Sequence, residues 1–118
     1  MKIVVDAMGG DYAPESAVEG AVMAAREYET EIILTGLSDK IHAVLDRLDP
    51  DHNLPILVVH ADEVVEMHDS PGKVLRSKRK SSIKIGLDLV KDGTASAFLS
   101  AGNTGAVLAY STVILRPL

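Results

Sequence analysis

The sequence predicts a doubly wound α/β fold, in which a mainly parallel sheet carries helices on both faces. Short apolar segments rich in Ile, Val and Leu alternate with longer segments whose apolar residues recur at helical spacing. The short segments are continuously apolar, which is typical of strands buried on both faces of a parallel sheet. Strands that alternate with helices are joined by right-handed crossovers, and 118 residues are enough for one such domain.

Four apolar segments are predicted to form the strands: KIVVD (2–6), EIILT (31–35), PILVVH (55–60) and SAFLS (96–100). Helical patterns occupy the intervals between them, and a last helix is expected after the fourth strand. No internal repeat, low-complexity tract or linker interrupts this alternation, so residues 1–118 are expected to form a single domain.

The predicted helices are marked by start signals and by one apolar face. Ser16 and Glu19 have the spacing of a capping box, which predicts a first helix that begins at Ser16. A second helix is expected from Ser38, and a third from Ser81 or Ser82. The residues expected to face the sheet recur at helical spacing: Val18, Ala21, Val22 and Ala25, then Ile41, Val44, Leu45 and Leu48, then Ile83, Leu87 and Val90.

The composition excludes several kinds of functional site and makes others unexpected. The chain is 47% hydrophobic and 25% charged, as is ordinary for a globular domain. The absence of Cys excludes disulfides, thiolate zinc sites and cysteine nucleophiles, and it suits a reducing cytosol. Only 3% of residues are aromatic and the net charge is −5, so nucleic-acid binding is not expected. KIVVD follows Met1 directly and no apolar run reaches about 18 residues, so neither a leader nor a membrane-spanning helix is expected.

Three loops at the carboxyl ends of predicted strands are candidates for a ligand site, because ligands of doubly wound sheets bind there. In the first, DAMGGDYAP (6–14), Gly9 and Gly10 permit positive φ and close approach of the backbone to a ligand. Asp6 and Asp11 flank the two glycines. A tight strand-to-helix connection with capping aspartates is the alternative interpretation of the same residues.

The second loop, SAGNTGA (100–106), places small residues at the start of a helix, where free N–H groups and the helix dipole favour an anion. Ser100, Asn103 and Thr104 add side-chain donors. The motif is neither a GxGxxG fingerprint nor a Walker loop. It is the best phosphate-binding candidate in the chain, with an ordinary capped turn as the alternative.

The third loop, DSPGKVLRSKRKSSIK (69–84), ends in Lys80, Ser81 and Ser82 at a predicted helix start. A lysine and two hydroxyls there can hold an oxyanion, although a Ser N-cap after an exposed basic loop is the other interpretation. Six of the twelve Lys and Arg residues lie in KVLRSKRKSSIK (73–84), which contains no acid. This basic segment is either a solvated charged face or a docking surface for an anionic group or an acidic partner.

The segment HADEVVEMHD (60–69) gathers His, Asp and Glu residues that invite a metal assignment. Their spacing matches no recognised ligand pattern. A solvated acidic turn is therefore expected, and neither a metal nor a cofactor is expected in this chain.

The motifs VVDAMGGDYAP, RSKRKSSI and SAGNTGA, in this order and spacing, resemble the bacterial phosphate acyltransferase (acyl-ACP:phosphate transacylase) family over essentially all 118 residues. The resemblance implies that inorganic phosphate attacks the acyl group on acyl carrier protein and yields acyl phosphate for phospholipid synthesis. It also implies a fold similar to phosphotransacetylase and to isocitrate and isopropylmalate dehydrogenases. The resemblance further implies a cytoplasmic homodimer that associates peripherally with the membrane.

The resemblance and the loop chemistry together imply a role for each candidate residue, since thioester transfer to phosphate requires phosphate binding and oxyanion stabilisation. The residues expected to be catalytic are Asp6, Lys80 and Asn103. Phosphate contacts are expected from Ser81, Ser82, Ser100, Gly102, Asn103, Thr104 and Gly105, and the site is expected to be shaped by Gly9, Gly10 and Asp11. Contacts with the carrier protein or its phosphopantetheine phosphate are expected from Arg76, Lys78 and Arg79.

Family members continue well beyond the length of this chain, so the 118 residues are expected to be the amino-terminal part of a longer enzyme. Such a part is expected to expose apolar surface and to associate, and its activity on its own is in question. Two other functions stay open. A phosphotransacetylase-like enzyme would use acyl-CoA, whereas a non-catalytic α/β module would bind a phosphorylated ligand without consuming a thioester.

Overall fold

The structure is a computed structural model that describes residues 1–115, apart from the side chains of Thr104, Thr112 and Val113. Strands and helices alternate along the described residues, which confirms the predicted α/β class. The strands are β1 (Lys2–Asp6), β2 (Glu31–Gly36), β3 (Ile56–His60) and β4 (Ala97–Leu99). The helices are α1 (Glu15–Tyr28), α2 (Ser38–Leu48), α3 (Pro71–Ser77), α4 (Ser82–Lys91) and α5 (Thr104–Ile114).

The strands form one parallel sheet in the order β3-β2-β1-β4. β1 is therefore central, and its Val4 lies opposite Ile33 of β2 and Phe98 of β4. Because all strands point the same way, the loops that leave their carboxyl ends meet along one edge of the sheet.

The two faces of the sheet carry different helices, as predicted. Ile32 and Leu34 of β2 belong to a core cluster with the buried residues of α1 and α2. Ile33, between them in sequence, packs with Val4 and with Phe98 in a cluster that includes residues of α4. Successive side chains of a strand point to opposite faces, so α1 and α2 cover one face and α4 covers the other.

Burial on both faces holds for the central part of the sheet and not for its edges. In β2 every residue after Glu31 is buried. The two edge strands each expose a large apolar side chain, with Leu57 of β3 60% exposed and Leu99 of β4 57% exposed. An edge strand is paired with another strand on one side only, so its side chains are covered less completely. The expectation of complete burial is therefore wrong for β3 and β4.

The predicted capping box is wrong. α1 begins at Glu15 after Pro14, with no side-chain cap, so Ser16 lies inside the first turn. The N–H of Ser16 already donates to the carbonyl of Tyr12 at 3.1 Å, which shows that the backbone turns earlier than the capping box requires. The predicted inward residues of α1 are buried, and the predicted starts of α2 and α4 are confirmed.

α3 lies within the segment 69–84, which the sequence predicts to be a loop. It begins with Pro71, where a proline's missing N–H costs nothing, and only Val74 of its seven residues is buried. So short a helix with one buried residue leaves no periodic apolar pattern to detect. The last predicted helix is present, and it begins at Thr104, inside the SAGNTGA motif.

Candidate functional site

The candidate site lies where the order of the strands changes direction. From β1 the chain continues to β2 on one side, while β4 pairs on the other side of β1. Ligands of doubly wound sheets bind at such a switch point, outside the carboxyl ends of the strands. There the loops after β1 and β4 border a cavity of about 510 Å³. Its lining residues are Val5, Asp6, Gly9, Gly10, Asp11, Tyr12, Ser16, Ala17, Leu99, Ser100 and Ala101.

The two loops meet backbone to backbone through a pair of glycines. A Cβ placed on Gly9 would lie 2.7 Å from the nitrogen of Gly102 and 2.9 Å from Oγ of Ser100. A Cβ on Gly102 would lie 3.2 Å from Cα of Gly9. Gly10 has φ of +91°, a conformation that residues with a side chain rarely adopt. The glycines predicted to permit approach of the backbone to a ligand are also required for the approach of one loop to the other.

Asp6 and Ser100 form a hydrogen-bonded pair at the floor of the site. Asp6 is 3% exposed, and its carboxylate accepts hydrogen bonds from the N–H of Met8 at 3.0 Å and from Oγ of Ser100 at 2.8 Å. Oγ of Ser100 in turn accepts a hydrogen bond from the N–H of Gly102 at 3.0 Å. Since a hydroxyl has one proton, Ser100 directs it to Asp6 and presents a lone pair to Gly102. The loop after β4 is thus fixed to the end of β1.

Asn103 is the N-cap of α5. Its Oδ1 accepts a hydrogen bond from the N–H of Ala106 at 3.0 Å. Its Nδ2 donates to the carbonyls of Glu66 at 3.0 Å and Asp69 at 2.9 Å, with Met67 at a longer 3.4 Å. Both polar atoms of this side chain are therefore bonded to backbone groups. The capped turn that was the alternative interpretation is present, and a direct contact of Asn103 with phosphate stays a prediction.

The first turn of α5 contains N–H groups that have no acceptor within the helix. They include the N–H groups of Thr104 and Gly105. Gly105 is also a packing residue, because a Cβ there would lie 2.6 Å from Cγ of Pro71 in α3. The side chain of Thr104, which was expected to contact phosphate, lies outside the described part of the chain.

Ser81 and Ser82 are buried at the start of α4, 0% and 1% exposed. Oγ of Ser81 accepts a hydrogen bond from the N–H of Lys84 at 3.1 Å, so Ser81 is the N-cap of the helix. The carbonyl of Ser82 accepts a hydrogen bond from Oγ1 of Thr35 at 3.0 Å. The N-cap interpretation is confirmed, whereas the anion-binding role of the two serines stays a prediction. Neither serine is among the described residues that line the cavity.

Lys78 points inward from the basic segment. Its Nζ donates to the carbonyl of Val64 at 2.7 Å and to Oδ2 of Asp69 at 2.6 Å. The hydrogen bond from Lys78, with a second one from the N–H of Glu66, holds the pKa of Asp69 below its ordinary value. Lys78 therefore pins the loop of residues 61–70, and its predicted contact with a carrier protein would require this ion pair to open.

The other basic side chains divide into paired and unpaired groups. Lys84 forms an ion pair with Asp88 at 2.6 Å, and Nε of Arg76 donates to a carbonyl of its own helix at 3.3 Å. Arg79 and Lys80 are exposed, and within residues 1–115 no side chain of opposite charge pairs with them. Among the described residues, none of these basic side chains lines the cavity.

Sequence reasoning missed the polar partners of the loops. The carbonyls that hold Asn103 belong to residues 66–69, and no residue type marks a carbonyl acceptor in advance. Tyr110 was also missed, although a tyrosine in an otherwise apolar helix is a usable signal, since a buried tyrosine hydroxyl usually finds a partner. It bonds Ser81 and two backbone carbonyls.

The segment 60–69 does not form a metal centre within the described residues, where no three His, Asp or Glu side chains are grouped to hold an ion. His60 instead accepts a hydrogen bond from the N–H of Ser38 at 3.1 Å through Nδ1, and its Nε2 lies 2.6 Å from Oδ1 of Asp62. Within residues 1–115 no helix has the length and apolar character needed to cross a membrane.

Comparison with known proteins assigns the chain to a family. A family model described as "Fatty acid synthesis protein" matches residues 1–118. The chain belongs to this fatty acid synthesis protein family. Curated relatives of this chain are named phosphate acyltransferase. The relative from Clostridioides difficile (strain 630) is 50% identical over 109 residues, which is 92% of this chain and 32% of the relative.

Two further relatives agree in name and extent. The phosphate acyltransferase of Koribacter versatilis is 46% identical and that of Trichlorobacter lovleyi 48% identical, each over 98% of this chain. The chain covers 32% and 33% of these relatives, respectively. It therefore spans about a third of the length of the curated relatives that it matches.

Proposed function

We propose that this chain carries the phosphate-binding part of a phosphate acyltransferase, which transfers an acyl group from acyl carrier protein to inorganic phosphate. The observation that carries the proposal is the corner at the switch point, where Gly9 packs against Gly102, two residues before the first turn of α5. The names of the relatives support the same reaction. The chain is then the amino-terminal unit of a longer enzyme of phospholipid synthesis.

Phosphate is proposed to bind through backbone N–H groups rather than through a lysine clamp. The N–H groups of Thr104 and Gly105 are free within the helix, and the helix dipole places partial positive charge at them. The positive φ of Gly10 lets the first loop turn its backbone toward the same corner. In this arrangement Asn103 acts on phosphate by fixing the first turn of α5, in addition to its predicted contact.

Asp6 is compatible with phosphate because phosphate near neutral pH is itself protonated. The buried carboxylate would repel a fully ionised anion, but a P–O–H group can donate a hydrogen bond to it. Asp6 is then the acceptor that orients one hydroxyl of phosphate and takes its proton as the oxygen attacks. Ser100, which already donates to Asp6 at 2.8 Å, holds the carboxylate in place.

The proposed reaction forms one bond and breaks one. A phosphate oxygen attacks the thioester carbonyl, an oxyanion forms, and the C–S bond breaks as the thiol of the carrier protein leaves. The leaving thiolate takes the proton that Asp6 received from phosphate, so acyl phosphate and a free thiol are the products and the Asp6 carboxylate is regenerated. Oxyanion stabilisation is assigned to the N-terminal N–H groups of α5, with Lys80 as the predicted cation of the site.

The basic segment is proposed to meet the carrier protein. Arg79 is exposed and unpaired within the described residues, and Arg76 is exposed, so both are available to acidic side chains or to a phosphopantetheine phosphate. Lys78 joins them only when its bond to Asp69 opens. Ser81 and Ser82 are proposed to act on an anion through the α4 N-terminus that they form. As in the family resemblance, we propose a cytoplasmic homodimer that associates peripherally with the membrane.

The test of the proposed function is phosphate-dependent cleavage of an acyl thioester. The chain is incubated with decanoyl-acyl carrier protein and inorganic phosphate, acyl phosphate is trapped with hydroxylamine, and free thiol is measured in parallel. Ser100→Ala is expected to lower the rate about a hundredfold, in the range of a lost catalytic hydrogen bond. Ser96→Ala, at the exposed opposite end of β4, is the matched control.

The outcomes of this assay separate the three functions. Stoichiometric acyl phosphate and thiol support the proposal. The same products from decanoyl-CoA alone indicate a phosphotransacetylase-like enzyme, and phosphate binding without thiol release indicates a non-catalytic module. Asn103→Ala with unchanged phosphate-dependent turnover would exclude Asn103 from both the contact and the positioning role.

A further inference from the structure

Tyr110 places one hydroxyl where three elements meet. It lies in α5 and is 1% exposed. Its hydroxyl lies 2.9 Å from the carbonyl of Val74 in α3 and 2.5 Å from that of Lys78, the residue that follows α3, so its single proton is shared between these two carbonyls. The same oxygen accepts a hydrogen bond from Oγ of Ser81 at 3.3 Å. Burial raises the pKa of Tyr110, so the phenol keeps this proton near neutral pH.

The segment that joins α3 to α4, residues 78–81, lies outside both helices and is fixed along its length up to Ser82, the first residue of α4. The N–H of Lys80 donates to Oε1 of Glu63 at 2.9 Å, and the N–H of Ser82 donates to the carbonyl of Glu63 at 3.2 Å. Tyr110 fixes the first and fourth residues of the segment through their carbonyl and hydroxyl groups. An irregular segment held at four points is preorganised, whereas its exposed side chains are free to bind.

Two cations project from this fixed segment. Arg79 and Lys80 are exposed, and within the described residues neither side chain has an acidic partner. Lys78, the preceding residue, is turned inward to Asp69. A pair of adjacent cations on a rigid backbone favours association with an acidic surface, because little conformational freedom is lost when the pair is bound.

We propose that Tyr110 is a positioning residue for docking of the acidic carrier protein: its buried hydroxyl fixes residues 78–81 so that Arg79 and Lys80 are presented to the partner. The inference rests on the proposed function, which supplies the carrier protein as the partner. Tyr110 itself does not touch the partner. It acts through the end of α3 and the N-cap of α4, and it connects both to α5, whose first turn forms the candidate phosphate site.

The test compares Tyr110→Phe with Tyr28→Phe, a control at a tyrosine that is 70% exposed at the end of α1. Tyr110→Phe keeps the ring and removes the hydroxyl. Hydrogen exchange at the amides of Lys80 and Ser82, which donate to Glu63, is expected to become about tenfold faster, the factor for loss of one good hydrogen bond. Binding of acyl carrier protein is expected to weaken about tenfold, while amide shifts of Gly102 and Gly105 on addition of inorganic phosphate stay unchanged.

Each outcome has a defined meaning. Unchanged exchange in Tyr110→Phe overturns the positioning claim, whether or not the chain binds a carrier protein. Faster exchange with unchanged carrier-protein binding also overturns it, since the ordering would then serve no docking. If the wild-type chain does not bind carrier protein, the proposed function loses its partner and the docking inference is overturned with it. Weaker phosphate binding in Tyr110→Phe would contradict the inference by showing a general structural defect.

Discussion

At the scale of single residues, the candidate site depends on two kinds of constraint. Gly9 and Gly102 are constrained by space, because either Cβ would meet the opposite loop. Asp6 and Ser100 are constrained by hydrogen bonding, because the buried carboxylate of Asp6 accepts the proton of the half-buried Ser100 hydroxyl. Both constraints act between the ends of β1 and β4. Asp6 and Ser100, which form the hydrogen bond, are 94 residues apart in the sequence. The corner therefore forms only when the sheet has formed.

The glycine contact predicts a position-specific cost. Gly9→Ala is expected to destabilise the fold by about 1–3 kcal/mol, as overpacking does, and to abolish phosphate-induced shifts. Gly20→Ala is the control, because a Cβ at Gly20, in the middle of α1, meets nothing within 4 Å. It is expected to stabilise the helix by about 0.5–1 kcal/mol. Urea unfolding of both variants measures the difference, and equal stability of the two variants would contradict the close contact.

The ion pair of Asp69 and Lys78 predicts a dependence of stability on pH. The folded pKa of Asp69 lies below its unfolded value of about 3.9, so this stabilisation is complete above that value. It is lost as the pH falls through the folded pKa, because the unfolded state binds the proton first. Urea midpoints between about pH 5 and pH 2.5 are expected to fall less steeply for Asp69→Asn than for the wild type. Asp51→Asn, an exposed position, is the control, and parallel curves for the wild type and Asp69→Asn would contradict the assignment.

At the scale of elements, helix N-termini organise the carboxyl edge of the sheet. α4 is capped by Ser81 and α5 by Asn103, and each cap also bonds a second element. Asn103 bonds the loop before α3, and Ser81 bonds Tyr110 of α5. The start of each helix is thereby positioned by its neighbours and not by local sequence alone.

The helix cap formed by Oδ1 of Asn103 and the loop contact formed by its Nδ2 can be separated by substitution. Asn103→Ala removes both the cap and the contact with the loop, and it is expected to cost about 0.5–2 kcal/mol for the cap alone. Asn103→Asp keeps an oxygen for the N–H of Ala106 but places a carboxylate against the carbonyls of residues 66–69. Hydrogen exchange is expected to show an intact first turn of α5 and a loosened loop in this variant. A loop that stays protected in both variants would contradict the bonding described here.

Prediction from sequence succeeded where the signal is local. The strands, the starts of α2 and α4 and the inward face of α1 follow from apolar runs and helical spacing. The capping box of Ser16 failed because a backbone bond to Tyr12 starts the helix earlier. The contact between the first and last loops, the inward turn of Lys78 and the role of Tyr110 depend on tertiary contacts, which no local pattern contains. The motifs thus indicated the loops of the site but not which atoms in them are free.

At the scale of the whole molecule, the two open edges of the sheet expose apolar side chains. Leu99 on β4 and Leu57 on β3 are each more than half exposed, at opposite edges. The chain spans about a third of the length of its curated relatives, so further sequence in those proteins is available to cover such surface. Exposed apolar edge strands favour association between copies.

Association of the chain is therefore expected to depend on the β4 edge. Light scattering at increasing concentration is expected to show oligomers for the wild type, and Leu99→Lys is expected to reduce them, since charge on an edge strand opposes pairing. Leu57→Lys tests the opposite edge with a side chain of similar exposure. A monodisperse monomer of the wild-type chain at all concentrations would contradict this expectation.

The central claim is that the glycine-lined corner between β1 and β4 binds phosphate. An amide NMR titration of the chain with inorganic phosphate tests it most directly, with sodium sulfate as a second anion that lacks a proton near neutral pH. The account predicts saturable shifts confined to Gly9, Gly10 and residues 102–105, stronger for phosphate than for sulfate because Asp6 accepts the phosphate hydroxyl. A well-dispersed spectrum without shifts at these amides, or with shifts confined to the basic segment, would contradict the claim.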